Sequence, residues 1–174
     1  KNIITRTIKI PKPTIEEKGL KVNYFIDTDI PNNLRGDKGI CQILINNIVN
    51  NAVKYTYSGN IEIRVNLVEE KLQSINVEIK VMDTGIGMSP ATLEKIFEKQ
   101  SATANDYTES MSVPAMGLQI SQQLAMLMNG TISAQSTEGK GSTFTIQLQL
   151  KKDLSKAATK PTKKDEKFYN KDRK

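Results

Sequence analysis

The stretch NNIVNNAVKYT, residues 46 to 56, lies inside a longer run whose apolar residues recur at helical spacing. Leu44, Ile45, Ile48, Val49, Ala52 and Val53 share one broad face between residues 37 and 57, as a half-buried amphipathic helix requires. At about 100° per residue, Asn47, Asn51 and Lys54 fall on one polar ridge beside that face, with Tyr55 just beyond. An amide oxygen can complete the shell of a hydrated Mg²⁺, a lysine can meet phosphate as a point charge, and a tyrosine ring can cover a base. The same ridge also reads as ordinary polar surface in an asparagine-rich chain, with Asn46 and Asn50 on a different arc.

Upstream, residues 22 to 26 read as a short strand, and 27 to 35 (DTDIPNNLR) as a turn-rich connection. Downstream, Ser58, Gly59 and Asn60 close the helix. Two strands then alternate cleanly, Ile61, Ile63, Val65, Leu67 and Ile75, Val77, Ile79, Val81. DTGIGM follows at 83 to 88, and Ser89 with Pro90 opens a short helix to about Phe97. Residues 98 to 114 show no period, and a loop of that length in a compact domain usually carries function or stays disordered. A second long helix carries Leu118, Ile120, Leu124, Leu127 and Met128 on its apolar face, stopped by Asn129 and Gly130. A final hairpin pairs 131 to 136 with 142 to 150 around TEGKG, whose glycines supply a turn. Together these predict an α/β (α+β) two-layer sandwich, a mixed and mostly antiparallel sheet covered on one face by about three helices.

Composition narrows the function. With 37% hydrophobic residues and no run long enough to span a bilayer, 174 residues suit one globular domain plus an appendage. The net charge of +6 has a local origin. Residues 1 to 150 hold 15 Lys and Arg against 15 Asp and Glu, whereas residues 151 to 174 hold 10 against 4. A basic nucleic-acid groove on the folded part is therefore not expected. The division is a domain over 1–150 and a disordered Lys-rich tail or linker over 151–174, with binding of anionic lipid or RNA as the tail's alternative. One cysteine and no histidine leave the usual zinc spacings absent, and Cys41 reads as a small buried hydrophobe. The chain opens on Lys1 with no leader, so it is expected to be a segment of a longer protein.

Two further segments carry chemistry. Asp83 ends an alternating strand, where a carboxylate can accept from the exocyclic amine of adenine while Gly85 and Gly87 let backbone approach the purine; a plain strand-to-helix turn is the simpler reading of the same residues. Residues 113 to 118, VPAMGL, enter the second long helix, whose N-terminus with Gly117 could hold an anion. An ordinary loop entering a helix accounts for them equally.

In this order and spacing the segments resemble the catalytic ATP-binding domain of sensor histidine kinases, within the ATPase superfamily shared with gyrase, mismatch-repair proteins and a heat-shock chaperone. The resemblance runs from about Lys18 to Leu150 and implies a Bergerat-type fold. NNIVNNAVKYT looks like the asparagine box, DTGIGM the first glycine box, and IFEKQ at 96 to 100 the phenylalanine box. The lid and second glycine box fall at 101 to 118, GKGSTF at 139 to 144 looks like the last box, and EKGL at 17 to 20 also recurs near the start of such domains. What the resemblance implies is ATP and Mg²⁺ as cofactors. Asn47, Asn51 and Lys54 would be catalytic, Asn51 on Mg²⁺ and Lys54 on the phosphates, with Tyr55 on the adenine face and Asp83 on its amine. Gly85, Ile86, Gly87, Gly117, Leu118 and Ser142 would complete the ATP-binding set.

Within the family the hydrolysing members carry a glutamate base at the position of Asn47. An amide cannot take a proton from water at neutral pH, so the expected reaction is transfer of the γ-phosphate to a histidine in two-component signalling. That histidine lies outside this chain, in a dimerising helical phosphoacceptor domain, with a receiver domain downstream. No nucleic-acid partner is expected, and membrane contact only through missing segments, so the location implied is cytoplasmic or the cytoplasmic part of a membrane protein. The second glycine box departs from the pattern at Val113 and Ala115, with Pro114 between them, which stiffens the lid. A nucleotide-binding pseudokinase or regulatory module with a degenerate lid is the alternative, and another superfamily member or a mere interaction module the third reading.

Overall fold

The computed structural model describes residues 11–97 and 114–155, with backbone only for the first residues of the helix that opens at Pro114. Helix α1, Lys12–Lys18, has Pro13 in its first turn and ends at Gly19, whose φ of 63° is the left-handed cap. Strand β1, Lys21–Ile26, and the two-residue β2, Leu34–Arg35, precede the long helix α2, Lys38–Tyr55. Asp37 caps α2, its carboxylate accepting the Ile40 N–H at 2.9 Å. The β3–β4 hairpin, Asn60–Glu70 with Ser74–Asp83, leads to the short α3, Pro90–Lys95, capped by the Ser89 hydroxyl. Helix α4, Pro114–Leu127, and the hairpin of β5, Thr131–Thr137, and β6, Gly141–Lys152, complete the described chain.

The sheet order is β1-β3-β4-β6-β2, with β5 also paired to β6. Among the described strands only β1 and β3 run parallel, joined through α2; the other pairs are antiparallel. The expected mixed, mostly antiparallel sheet is present. Register aligns the inward side chains into rows across three strands: Ile63–Val81–Phe144, Val65–Ile79–Ile146 and Leu67–Val77–Leu148. Onto them α2 lays Leu44, Ile45, Ile48, Val49, Ala52 and Val53, all buried. The opposite face carries Arg64, Asn66, Glu78, Lys80, Thr145 and Gln147, so one side of the sheet is dry and the other wet.

Three local readings are corrected. The long helix stops at Tyr55, before Ser58 and Gly59, because Thr56 turns to an extended conformation. Helix α4 buries Leu118, Ser121, Ala125 and Met128, leaving Ile120 48% and Leu127 75% exposed, so the two share a face that points outward. Its phase follows Ser121, whose hydroxyl is bonded to Asn47 of α2 at 2.8 Å. Helix α1 and strand β2 fall where no element was expected.

Cys41 is buried, with its sulfur 3.8 Å from that of Met128. Burial, helped by the negative charge of Asp37, pushes its thiol up to about 11, as befits a packing residue. Asp27 has a structural task. Strand β3 is bulged between Leu67 and Glu69, and the Leu67 N–H reaches Asp27 Oδ2 at 3.2 Å while Oδ1 accepts the Asp29 N–H at 2.9 Å. Asp27→Ala is expected to cost about 1–3 kcal/mol, since two amides lose a charged acceptor, and a urea titration with unchanged slope measures it.

Candidate nucleotide-binding site

Asp83 is the last residue of β4, opposite Ile61 on one side and Ser142 on the other. Side chains alternate along a strand, so Asp83 faces the same side as Val81 and Ile79, one step beyond the apolar rows. Its row reads Ile61–Asp83–Ser142–Ser136. The carboxyl is half-buried, and burial raises its pKa above the ordinary range, partly offset by the backbone N–H groups of Gly85 and Ser142. Gly85 N–H donates to Oδ1 at 2.9 Å.

The turn after Asp83 is tied down on three sides. Thr84 N–H donates to the Asn60 carbonyl at 3.1 Å, and the Thr84 hydroxyl accepts from Asn60 N–H at 2.9 Å. Ile86 N–H donates to the Tyr55 carbonyl at 3.1 Å, and Gly139 N–H to the Ile86 carbonyl at 2.7 Å. Met88 N–H meets the Ser136 hydroxyl at 2.8 Å, which itself lies 3.0 Å from that of Ser142. A methyl at Gly85 would overlap the Tyr55 carbonyl and come within 2.9 Å of both Asp83 Oδ1 and Thr56 Oγ1. Only glycine allows this approach. Thr56 is fully buried there, and its hydroxyl has no hydrogen-bond partner among the described residues.

The structure thus brings Tyr55, Asp83, Gly85, Ile86 and Ser142 together at the C-terminal end of α2. Ile86 turns its side chain outward, 47% exposed. Lys54 is exposed, its ammonium 5.1 Å from the centre of the Tyr55 ring, and Asn51 stands half-buried one turn earlier. Asn47, two turns before Tyr55, donates to Ser121 Oγ and, at 3.3 Å, to the Gly117 carbonyl. A glutamate at that position would set a carboxylate against that carbonyl. Leu118 is buried in the core, so it can reach a ligand only through its backbone. Gly117 has open space toward its neighbours, the nearest being the Asn47 amide at 3.9 Å. Gly87 holds a φ of 64° beside the Thr137 carbonyl.

Ile96 and Phe97 of the IFEKQ segment pack on the core. Its remaining residues, the lid and Val113 lie outside the described residues, as does the side chain of Ala115. Thr56, Ser136 and Lys18, which binds the last turn of α2, were not singled out as site residues. Thr56 offered the one usable sequence signal, a polar residue at the end of the apolar helix face. Among the described residues no three acids, cysteines or histidines gather as a metal cage. A cation here would rest on few protein ligands, as suits Mg²⁺ held by an amide and by phosphates.

A family model described as histidine kinase-, DNA gyrase B- and HSP90-like ATPase matches residues 36 to 152. Sensor histidine kinase GacS of Pseudomonas protegens is 33% identical over 161 residues, covering 92% of this chain and 18% of that protein. The signal transduction histidine-protein kinase BarA of Escherichia coli K12 is 34% identical over 137 residues, 77% of this chain and 15% of its own. Hybrid signal transduction histidine kinase L of Dictyostelium discoideum is 31% identical over 152 residues, 87% of this chain and 9% of its own. The chain therefore spans less than a fifth of the length of these relatives. Among solved structures, full-length ShkA in complex with AMPPNP superposes with a TM-score of 0.70 at 23% identity, over 91% of this chain and 31% of that one. The catalytic domain of histidine kinase ThkA gives 0.59 at 17%, over 84% of this chain and 88% of that one. The fold is shared with both.

Proposed function

The chain belongs to the histidine kinase-, DNA gyrase B- and HSP90-like ATPase family, as a catalytic domain of the sensor-histidine-kinase type, and on that premise we propose that it binds Mg²⁺–ATP and delivers the γ-phosphate to a histidine outside itself. The observation that carries the reading is the placement of Asp83. A half-buried carboxylate ends β4 one step beyond the apolar rows, and Gly85 beside it approaches Tyr55 and Thr56 too closely for any other side chain. An acceptor so placed takes the amine of adenine and refuses guanine, which presents an oxygen there. The buried, unpaired Thr56 hydroxyl adds a second polar group to the same wall.

In this reading Tyr55 covers one face of the base. Lys54, exposed beside Tyr55, reaches the phosphates, and Asn51 supplies an oxygen to Mg²⁺. The cation, when bound, neutralises charge on the phosphates. Asn47 has no proton-accepting role, and its amide donors already hold α4, which favours transfer over hydrolysis. The acceptor is a helical domain outside this chain, followed by a receiver; the linker begins later than the expected boundary at 150, because Lys151 and Lys152 pair with β2 inside β6 and Asp153 N–H still donates to the Asn33 carbonyl.

Calorimetric titration with ATP and GTP, followed by transfer from labelled ATP to a separately supplied histidine-bearing helical domain, tests the proposal. ATP is expected to bind at least tenfold more tightly than GTP, and label to reach histidine. Equal affinities would sink the role given to Asp83, and binding without transfer would remove the kinase reading.

A further inference from the structure

An α-helix leaves its last four carbonyls without partners inside the helix, and they are usually met by a glycine turn or by water. Helix α2 has no such glycine. Thr56 leaves it with φ −103° and ψ 112°, and Thr56 N–H closes only on the Ala52 carbonyl. The remaining carbonyls at this end are Val53, Lys54, Tyr55 and the cap residue Thr56. Lys18 takes three of them, its Nζ donating to Val53 O at 2.8 Å, Lys54 O at 3.1 Å and Thr56 O at 3.3 Å. The fourth, Tyr55 O, accepts the Ile86 N–H.

An ammonium has three N–H donors and lies well at a helix C-terminus, where the dipole is negative. Its approach is fixed by the backbone behind it. Gly19 ends α1 in the left-handed conformation, Leu20 N–H bonds to the Ile15 carbonyl at 3.0 Å, and the Leu20 side chain is buried in the core. The Tyr57 ring lies 5.2 Å below the same ammonium.

We propose that Lys18 is a positioning residue for the nucleotide site: by holding three carbonyls of the last turn of α2, it aims the fourth, Tyr55 O, at Ile86 N–H and so sets Gly85 and Asp83. This rests on the reading given under "Proposed function" for its effect on ATP, though not for its effect on the turn. Lys18 bonds to the backbone behind Lys54 and Tyr55, on the side of α2 where α1 ends, and acts on the site only through that turn.

The test compares Lys18→Met and Lys18→Arg with Asp37→Ala, which removes the cap from the other end of the same helix. Two readouts are taken on the full chain: native-state hydrogen exchange at the Ile86 amide, and ATP affinity by calorimetry. Lys18→Met is expected to speed Ile86 exchange about tenfold relative to core amides such as Ile79, and to weaken ATP about tenfold. Lys18→Arg should restore most of both, because guanidinium donors still reach carbonyls. Asp37→Ala should lower the melting temperature while leaving both readouts within about twofold. If Ile86 protection and ATP affinity in Lys18→Met fall only in step with the melting temperature, as in Asp37→Ala, the positioning role is overturned. Should the methionine variant not fold, Lys18→Gln is read the same way. A parent that fails to bind ATP refutes the nucleotide reading, while the exchange at Ile86 still decides what Lys18 does to the turn.

Discussion

Asp83→Ala is expected to weaken ATP binding about 10- to 150-fold, the equivalent of losing one hydrogen bond of about 1.5–3 kcal/mol to a charged acceptor. The companion Asp83→Asn separates affinity from stability. Burial raises the pKa of this carboxyl above its ordinary 3.8, so the folded state holds its proton more tightly than the unfolded chain. A raised carboxyl stabilises the fold fully below the ordinary value, and that contribution is lost as pH rises through the raised one. At pH 7 the ionised Asp83 is therefore a cost, and asparagine, which carries no charge, should raise the melting temperature by about 1–3 °C in the absence of nucleotide. The gain should vanish in acid, where both side chains are neutral. ATP affinity of the parent should fall, on acidification, at a higher pH than an ordinary aspartate would give. A thermal scan of both proteins at pH 4 and pH 7 decides it; a parent more stable than Asp83→Asn at pH 7 contradicts the argument.

Gly141→Ala is the substitution expected to harm the fold most, by about 3–5 kcal/mol. The residue opens β6 with a φ of 114°, a conformation that side chains rarely adopt, and a methyl there would overlap the Asp83 carbonyl oxygen and press on Thr84. Neither obstacle can yield, because both belong to backbone that β6 must pass to pair with β4. A domain of this size has a total stability of about 5–15 kcal/mol, so much of it would be lost. The control lies two residues away. Gly139 also has a positive φ, 74°, but a methyl there meets nothing within 4 Å. Gly139→Ala should cost about 1 kcal/mol, the backbone penalty alone. Urea midpoints of the two variants measure the contrast, and equal shifts would show that the close approach to Asp83 does not matter.

Periodicity found the apolar rows because Ile61 to Leu67 and Ile75 to Val81 alternate without interruption, and a half-buried strand has no other way to be built. It could not show that β1 lies parallel to β3, since parallel and antiparallel neighbours can bury the same alternation. Helix α1 escaped because it buries none of its residues and so has no apolar stripe to find. The phase of α4 was misjudged because Ile120 and Leu127 were weighed by their side chains alone. A hydroxyl at Ser121 and a methyl at Ala125 decide which side faces α2, small groups that hydrophobicity does not weight. The place of Asp83 at a strand end and of Tyr55 at the end of the long helix was legible; their roles toward a nucleotide are part of the proposal. Lys18 was quoted only as part of a recurring phrase, since its partners are carbonyl oxygens 35 to 38 residues away, a contact to which every sequence contributes identical atoms.

The β3–β4 hairpin closes at the end of the sheet remote from Asp83, with Lys71 N–H bonded to the Ser74 carbonyl and Leu72 in solvent. Ser74 and Asp83, the two ends of the 10-residue β4, lie about 30 Å apart at the rise of a strand. Length can change at that tip without altering which way any later side chain points. Within β4 it cannot: one residue added between Lys80 and Met82 would turn Asp83 to the wet side beside Glu78 and Lys80, and bring Met82 in its place. Divergent copies of this chain are thus free to lengthen the hairpin or to carry a fused module there, whereas β4 itself tolerates exchange of residues but not a change in their number.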